Sequence, residues 1–449
     1  MKHSIKLLLF GTLLLPQLLR AQGMDTVIRN RALDSLLAWH PHDTGLEAQP
    51  ISYHDFLARV LEHNLDYAVQ KYNISIAQAE IEVAKIYPDP FISTAFSKDV
   101  TGGLPSDSVG GNVLSFGASQ TILLGGKISK GVAVARENKS AAEATVRDFF
   151  WNLRSSAAQA YITAAIADSN YLEALREYQN LANLANINAQ RVNAGDIAKT
   201  DFIQSRVDAI QARGAVLAAD AARRTAFLAM GQLMGTQTVL YRPASYLAVP
   251  ARSFDLDTLL AHADSSRSDL IAARDQLEAA RLNIEFARAL RWPDVTVGLG
   301  YTTTAATPAL PAPFPNENLL GVNVSIPIPL SVAVNHGTLD VAEFNYEQSR
   351  DSLAALQLTV ETSVRQAYAQ YQLALEQYQQ YSTDLLRDAQ AVWEARLYSY
   401  KAGSAELLEV LTAENTLASV YQAYYSALSG YTGALVTLES SAHVWDLEF

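Results

Sequence analysis

Two hydrophobic periods follow one another along the chain, and the succession occurs twice. From Ile51 to Tyr87, apolar residues recur at helical spacing with a break near Asn64; they do so again from Leu256 to Trp292. Pro88 and Pro293 then stop the pattern, because proline has no N–H to continue a helix. Beyond each proline the period becomes two. In the second occurrence Val295, Val297, Leu299 and Tyr301 alternate with Thr296, Gly298, Gly300 and Thr302. After a Gly/Pro/Ser-rich link, Leu320, Val322, Val324, Ile326 and Ile328 alternate with Gly321, Asn323, Ser325 and Pro327. The first occurrence is fainter, over Phe91 to Lys98 and Val113 to Leu124. These segments predict strands with one apolar and one small or polar face, each about as long as a tilted strand needs to cross a bilayer. The links Val100–Gly111 and Ala305–Asn318 are expected to be exposed loops.

Long helical stretches follow, from about Ile128 to Asn193 and from about Gly337 to Lys401, with no proline in either. At 1.5 Å per residue each is a rod roughly 100 Å long, of no use to a compact globule. Gly195 and Gly403 close the rods as C-cap glycines. Amphipathic stretches Lys199 to Met234 and Ala405 to Leu438 then return, giving two helical hairpins. Alanines such as Ala157, Ala158, Ala160, Ala164, Ala165 and Ala167 allow neighbouring helices to approach closely along a seam.

The repetition is a duplication. Leu65 matches Leu270, Ala68 matches Ala273 and Ala84 matches Ala289, all at an offset of 205, and the aromatic-Pro-Asp triplets Tyr87-Pro-Asp89 and Trp292-Pro-Asp294 keep it. The expected organisation is a signal peptide at 1–21, an N-terminal segment at 22–50, and repeats at 51–250 and 251–449. Lys2, His3 and Lys6 precede the apolar run Leu7 to Leu15, and cleavage is expected after Ala21. That run is too short to span a bilayer as a helix. After it no stretch of 18 apolar residues occurs, which leaves a periplasmic, secreted or β-barrel outer-membrane protein.

The 449 residues carry 46 Asp and Glu against 34 Lys and Arg, a formal charge of −12. An acidic chain without a basic run is not a nucleic-acid binder. With no cysteine, disulfides, thiolate catalysis and thiolate metal centres are excluded. No nucleophile array and no phosphate loop is present, so no catalysis and no cofactor are expected. His40-Pro-His42-Asp43 has the flavour of a metal site but lacks a fourth ligand, as a solvated surface would.

Taken together, the export signal, the duplicated helix–strand–strand–hairpin units and the turns Arg191-Val-Asn-Ala-Gly195 and Tyr400-Lys-Ala-Gly403 resemble the TolC-like outer-membrane efflux proteins. The similarity runs from about Ile51 to Leu438. Gln120-Thr-Ile-Leu-Leu-Gly125-Gly126-Lys127, with Ile86-Tyr-Pro88-Asp-Pro90, is similar to the branch serving cobalt–zinc–cadmium efflux. The resemblance implies a mainly α, mixed fold: long helical hairpins forming a periplasmic α-barrel, and four transmembrane strands per protomer in a twelve-stranded barrel shared by a homotrimer. The physics agrees, since four strands cannot close a barrel alone and open edges are forbidden in lipid. It further implies a periplasmic adaptor, an RND-type or ABC inner-membrane transporter, outer-membrane lipid around the strands, and passive export of metal ions or small toxic compounds. The alternative is the outer-membrane tunnel of a type I protein secretion system, since the tunnel itself is shared. A soluble periplasmic coiled-coil adaptor would account for the hairpins but not for the apolar strand faces.

The same resemblance places the gate at the hairpin tips. Glu409 corresponds to a carboxylate in a constricting, cation-attracting ring, and Thr412 stands where a second carboxylate is common. The plain alternative for Glu409 is a solvated helix charge. Tyr400 and Asp201 match positions that latch the closed tip, although a tyrosine there could equally be packing. Arg191, Gly195 and Asp196 with Gly403 and Ser404 form the two turns expected to dock the adaptor, against the alternative of plain helical turns.

Overall fold

A computed structural model of the chain describes residues 48–98, 112–236, 239–244, 250–305, 317–328, 336–381 and 383–445. The expected signal peptide, the His40–Asp43 stretch and most of both strand-connecting links lie outside the described residues. The first half contains β1 (Gln49–Ile51), α1 (Tyr53–His63), α2 (Leu65–Ala84), β2 (Phe91–Ser97), β3 (Val113–Ile122), α3 (Lys127–Ala194) and α4 (Lys199–Leu233). The second contains β4 (Tyr241–Pro243), α5 (Leu256–Ser266), α6 (Ser268–Leu290), β5 (Val295–Thr304), β6 (Glu317–Ser325), α7 (Gly337–Gln380), α8 (Thr383–Lys401) and α9 (Leu407–Ala442). Among the described residues no helix is long and apolar enough to cross a membrane.

Three boundaries differ from the expectation. The first hairpin has one unbroken rod of 68 residues, but the second breaks at Tyr381 (φ −92°, ψ 63°). The local sequence Tyr381-Ser-Thr-Asp384 consists of weak helix formers that compete for backbone hydrogen bonds. The Leu256–Trp292 stretch also breaks, at Arg267 (ψ 124°), as its partner does at Asn64 (ψ 120°). Asn64 caps α2 by accepting the Tyr67 N–H at 2.9 Å, while its amide donates to the Leu233 carbonyl at 3.1 Å. Finally, β2 has only 7 residues, and β6 ends before Pro327, which cannot donate to a ladder.

The four long strands form one antiparallel sheet in the order β2-β3-β5-β6. Its pairings sort the side chains by face. Phe116 lies opposite Tyr301, Ala118 opposite Leu299, Leu299 opposite Val322 and Val297 opposite Val324. On the other face Gly117 pairs Gly300, Thr121 pairs Thr296 and Gly298 pairs Asn323. Two hydroxyl contacts, Ser115–Thr302 and Thr121–Thr296, both at 3.1 Å, knit that polar face. The apolar face is bare: Leu320, Val322 and Val324 are all more than half exposed.

The sheet joins the helices through a tight junction. Gly125 and Gly126 both have positive φ, and a Cβ on Gly125 would come within 3.0 Å of the Trp292 ring. Lys127 then reaches Asp294 at 2.7 Å, and the same carboxylate oxygen accepts the Leu124 N–H at 3.2 Å. The glycine pair and the aromatic-Pro-Asp triplet thus fix one rod to one strand of the other repeat.

α3 is the central column. It packs on α2 and α6 towards the sheet and on α4 and α9 towards the tip, while α7 and α8 pack against α9 and α7 also meets α6. A layer made of α1, α5 and the parallel pair β1–β4 covers one face of this wall. The largest core lies there, with Phe56, Tyr161, Met230, Leu270, Tyr371 and Tyr431 essentially inaccessible. Ala157, Ala158 and Ala164 are fully buried in it, which is where the small residues bring helices close. Three tyrosine hydroxyls clamp the segment between the repeats: Tyr431 donates to the Pro250 carbonyl (2.9 Å), Tyr371 to Arg252 (2.7 Å) and Tyr368 to Phe254 (3.2 Å).

Candidate functional site at the hairpin tips

Both hairpins turn with the same hydrogen bonds. Gly195 (φ 81°) donates to the Val192 carbonyl at 3.1 Å, and Asp196 donates to Arg191 at 2.9 Å. Gly403 (φ 80°) donates to Tyr400 at 3.0 Å, and Ser404 to Ser399 at 2.9 Å. These paired bonds are a Schellman closure, which places one residue in the left-handed region. No atom lies within 4 Å of a Cβ built on either glycine, so it is the backbone angle and not space that demands glycine there. Gly195, Asp196, Gly403 and Ser404 are all exposed.

Behind the turns the two hairpins are tied together. Arg191 donates through Nη1 to the Tyr400 carbonyl at 3.0 Å, and its guanidinium lies 4.7 Å from the Tyr400 ring centre. The Tyr400 hydroxyl, buried, donates to Asn188 Oδ1 at 2.7 Å. Within a protomer the tyrosine is therefore held by Asn188 and Arg191, and not by a hydrogen bond to Asp201. Asp201 occupies the first turn of α4 and acts at longer range: burial pushes the Tyr400 phenol up, Arg191 opposes this and the Asp201 carboxylate adds to it.

Glu409 sits in the first turn of α9, half-exposed, and pairs with Arg396 of α8 at 2.5 Å. Thr412, one turn further on, donates its hydroxyl to the Leu408 carbonyl at 2.7 Å. Sequence reasoning identified the turn residues but missed Asn188, Arg396 and Glu414. Their partners are 212, 13 and 234 residues away along the chain, beyond any local pattern.

Glu414 is the outlier. It lies on α9 only 3% exposed and accepts from Asn180 Nδ2 at 3.1 Å. Desolvation drives its carboxyl up to about 7; Asn180 and Arg176 lower it, while Glu177 and Glu173 raise it. Arg176 pairs with Glu173 and stacks on Tyr421, 4.1 Å from the ring centre.

With this geometry in view, the family model described as outer membrane efflux protein matches residues 56–236 and 259–442. The chain belongs to the outer membrane efflux protein family. It is 24% identical over 409 residues to the cobalt-zinc-cadmium resistance protein CzcC of Cupriavidus metallidurans, covering 88% of this chain and 93% of that protein. It is 25% identical over 388 residues to the cation efflux system protein CusC of Escherichia coli O157:H7, covering 82% and 80%. A solved structure of CusC superposes with a TM-score of 0.70 at 19% identity over 91% of this chain and 95% of the other. The outer-membrane channel OprN gives 0.70 at 20% identity over 87% and 89%. The fold is thus that of TolC-like outer-membrane channels, a helical tunnel continuing a β-barrel, and the family is one of efflux channels.

Glu414 supplies a pH test of this channel. Because the folded pKa lies above the ordinary 4.5, the packing of α9 on α3 is strongest with the carboxyl protonated. That contribution is complete below pH 4.5 and is lost as pH rises through about 7, a difference of about 3 kcal/mol. Glu414→Gln should therefore raise the thermal midpoint of the assembled channel at pH 8 and leave it unchanged at pH 4.5. Equal midpoints for the two proteins at both pH values would show that the carboxyl is solvated.

Proposed function

We propose that this channel is the passive exit duct of a tripartite efflux system, a homotrimer that carries metal ions or small toxic compounds across the outer membrane. A periplasmic adaptor docks at its tips and an RND-type or ABC transporter in the inner membrane supplies the energy. Each protomer contributes two repeats, 51–250 and 251–449. Metal export is favoured by the likeness to CzcC and CusC, whose names specify cobalt, zinc, cadmium and cation efflux.

One observation carries the assembly: among the described residues the sheet has two unpaired edges, β2 and β6, and the helical wall is unfinished along the same two sides. On the β2 side α2 exposes Leu65, Val69, Tyr72 and Ile76, and α4 exposes Ile203, Val207 and Ile210. On the β6 side α7 exposes Val341, Phe344 and Leu358, and α8 exposes Val392 and Tyr398. Two different apolar edges on opposite sides make a head-to-tail contact that closes into a ring. Lipid requires that closure, because unpaired strand edges are not tolerated there.

The duplication gives the register of the missing seam. Ser119 faces Phe91 and Ser325 faces Thr296, the copy of Phe91, so Ser119 and Ser325 are equivalent. Since Ser119 pairs Gly298, whose copy is Ser93, Ser325 should face Ser93 of the next protomer. The native chain has no cysteine, so Ser325→Cys combined with Ser93→Cys should oxidise in membranes to a covalent ladder that ends at trimer. Ser325→Cys with Thr94→Cys should not cross-link, because a one-residue slip turns the side chain to the other face. A ladder extending past trimer, or cross-linking in the slipped pair, would refute this closure.

The two turns give six similar contacts in a trimer, suited to a hexameric adaptor. Valine resists the left-handed backbone, so Gly403→Val should abolish efflux and adaptor cross-linking while trimers still form. Survival of both activities would remove the tips as the docking site.

At the narrow end, three copies of Glu409 set a negative field that Arg396 partly offsets. Glu409→Gln should lower cation selectivity in planar bilayers and Arg396→Gln should raise it. Both effects should shrink as salt rises, since the Debye length falls from about 10 Å at 0.1 M to about 3 Å at 1 M. If neither substitution alters selectivity at low salt, the constriction is built by other residues.

A further inference from the structure

The wall of α4, α3 and α9 has two faces. Tyr161 marks the covered one: its ring packs against Tyr53 and Phe56 of the α1 layer, at 5.4 and 5.9 Å between centres. Asn170 lies nine residues further along α3, two and a half turns, and so points the opposite way. On that opposite face the three helices leave a groove, widest in two adjoining cavities of about 520 and 460 Å³. Glu177 and Ala215 line both. From Thr163 to Leu181 the groove follows α3 for roughly 27 Å at 1.5 Å per residue. The edge stripe Ile203, Val207 and Ile210 is centred roughly a third of a turn round α4 from the groove residues Gln204, Asp208 and Ala215.

Its chemistry is consistent along its length. The floor is largely alanine methyl groups, and the charged lining residues are Glu173, Glu177 and Asp208, with no lysine or arginine among them. Asp208 Oδ1 accepts from Gln204 at 2.9 Å, whereas its Oδ2 is buried without a hydrogen-bond partner. Burial pushes all three carboxyls up, a cost that a bound positive charge would offset. Glu173 is already paired with Arg176, which also stacks on the Tyr421 ring, so Glu177 and Asp208 are the carboxylates left to meet a bound cation. A bare metal ion fits poorly: among the described residues no group of three or more His, Asp or Glu could hold one. An apolar concave surface with a few convergent carboxylates suits a ligand with an apolar body and a cationic head.

We propose that this groove is a binding station for amphiphilic organic cations on the tunnel wall, a ligand class separate from the metal ions named for the relatives. The inference rests on the exit-duct reading, because it takes the face opposite the α1 layer as the lumen. Three copies around the axis would hold such cations loosely at several points, which permits both entry and release.

Ethidium is the probe, titrated by fluorescence anisotropy into the full-length trimer in detergent. Saturable binding that weakens with salt is expected. Glu177→Gln combined with Asp208→Asn should reduce affinity about tenfold, as loss of charge-assisted contacts would. Ala215→Trp should reduce it similarly by filling the groove with the charges intact. Heat-modifiable trimer on gels and bilayer conductance are followed for every protein. If the native chain forms no conducting trimer, the exit-duct reading itself fails. If it does, and ethidium affinity is unchanged in both variants, only the station is wrong. Displacement of ethidium by zinc at equal or lower concentration would overturn the assignment to organic cations.

Discussion

A strand edge cannot be left unpaired in hydrocarbon, and the rest of this molecule follows from that constraint. Among the described residues the sheet has four strands, too few to close on themselves, and the proposed trimer is the assembly that answers the constraint. The helices inherit this incompleteness. They form a wall that is packed in its middle, around α3, and exposes apolar side chains along its two margins. Sheet and wall are unfinished on the same sides because the Gly125–Gly126 junction and the Lys127–Asp294 pair transmit the strand order directly into the helix order.

Within that frame the two repeats have different duties. The first supplies the unbroken column, and its long helix carries both the core at Tyr161 on one face and the groove at Asn170 on the other. The second supplies the broken rod and the helix bearing Glu409 and Glu414. The tips are equivalent in their turns but not in their supports, since Arg191 reaches from the first hairpin to the backbone of the second. Carboxylates along these helices are either compensated by a partner, as at Glu409, or desolvated, as at Glu414 and Asp208.

Much of the fold was legible in the sequence because it rests on local rules. Alternation over Val295–Tyr301 reports a strand with two unlike faces, and glycine at positions 195 and 403 reports a backbone angle other residues avoid. The duplication was visible in the shared offset. The breaks at Arg267 and Tyr381 were not, because neither carries proline or glycine and each depends on tertiary context. At the tips, sequence supplied Tyr400 and Glu409 but not what holds them. Asn188 meets Tyr400, and Arg396 meets Glu409, only when separate helices come together, and Glu414 looks like any surface glutamate until α3 covers it.

The clamp between the repeats has a further implication. Tyr431, Tyr371 and Tyr368 hold the carbonyls of residues 250, 252 and 254, every second one along an extended segment. The hydroxyls recognise main-chain atoms, so the strap places no demand through these bonds on the identity of the side chains it fastens. Sliding by one residue would turn the carbonyls away, and all three bonds would be lost together. The strap therefore works as an index pin, fixing the phase of the second repeat against the first through its main chain, while Arg252 and Phe254 are held separately by Glu439 and the Tyr371 ring.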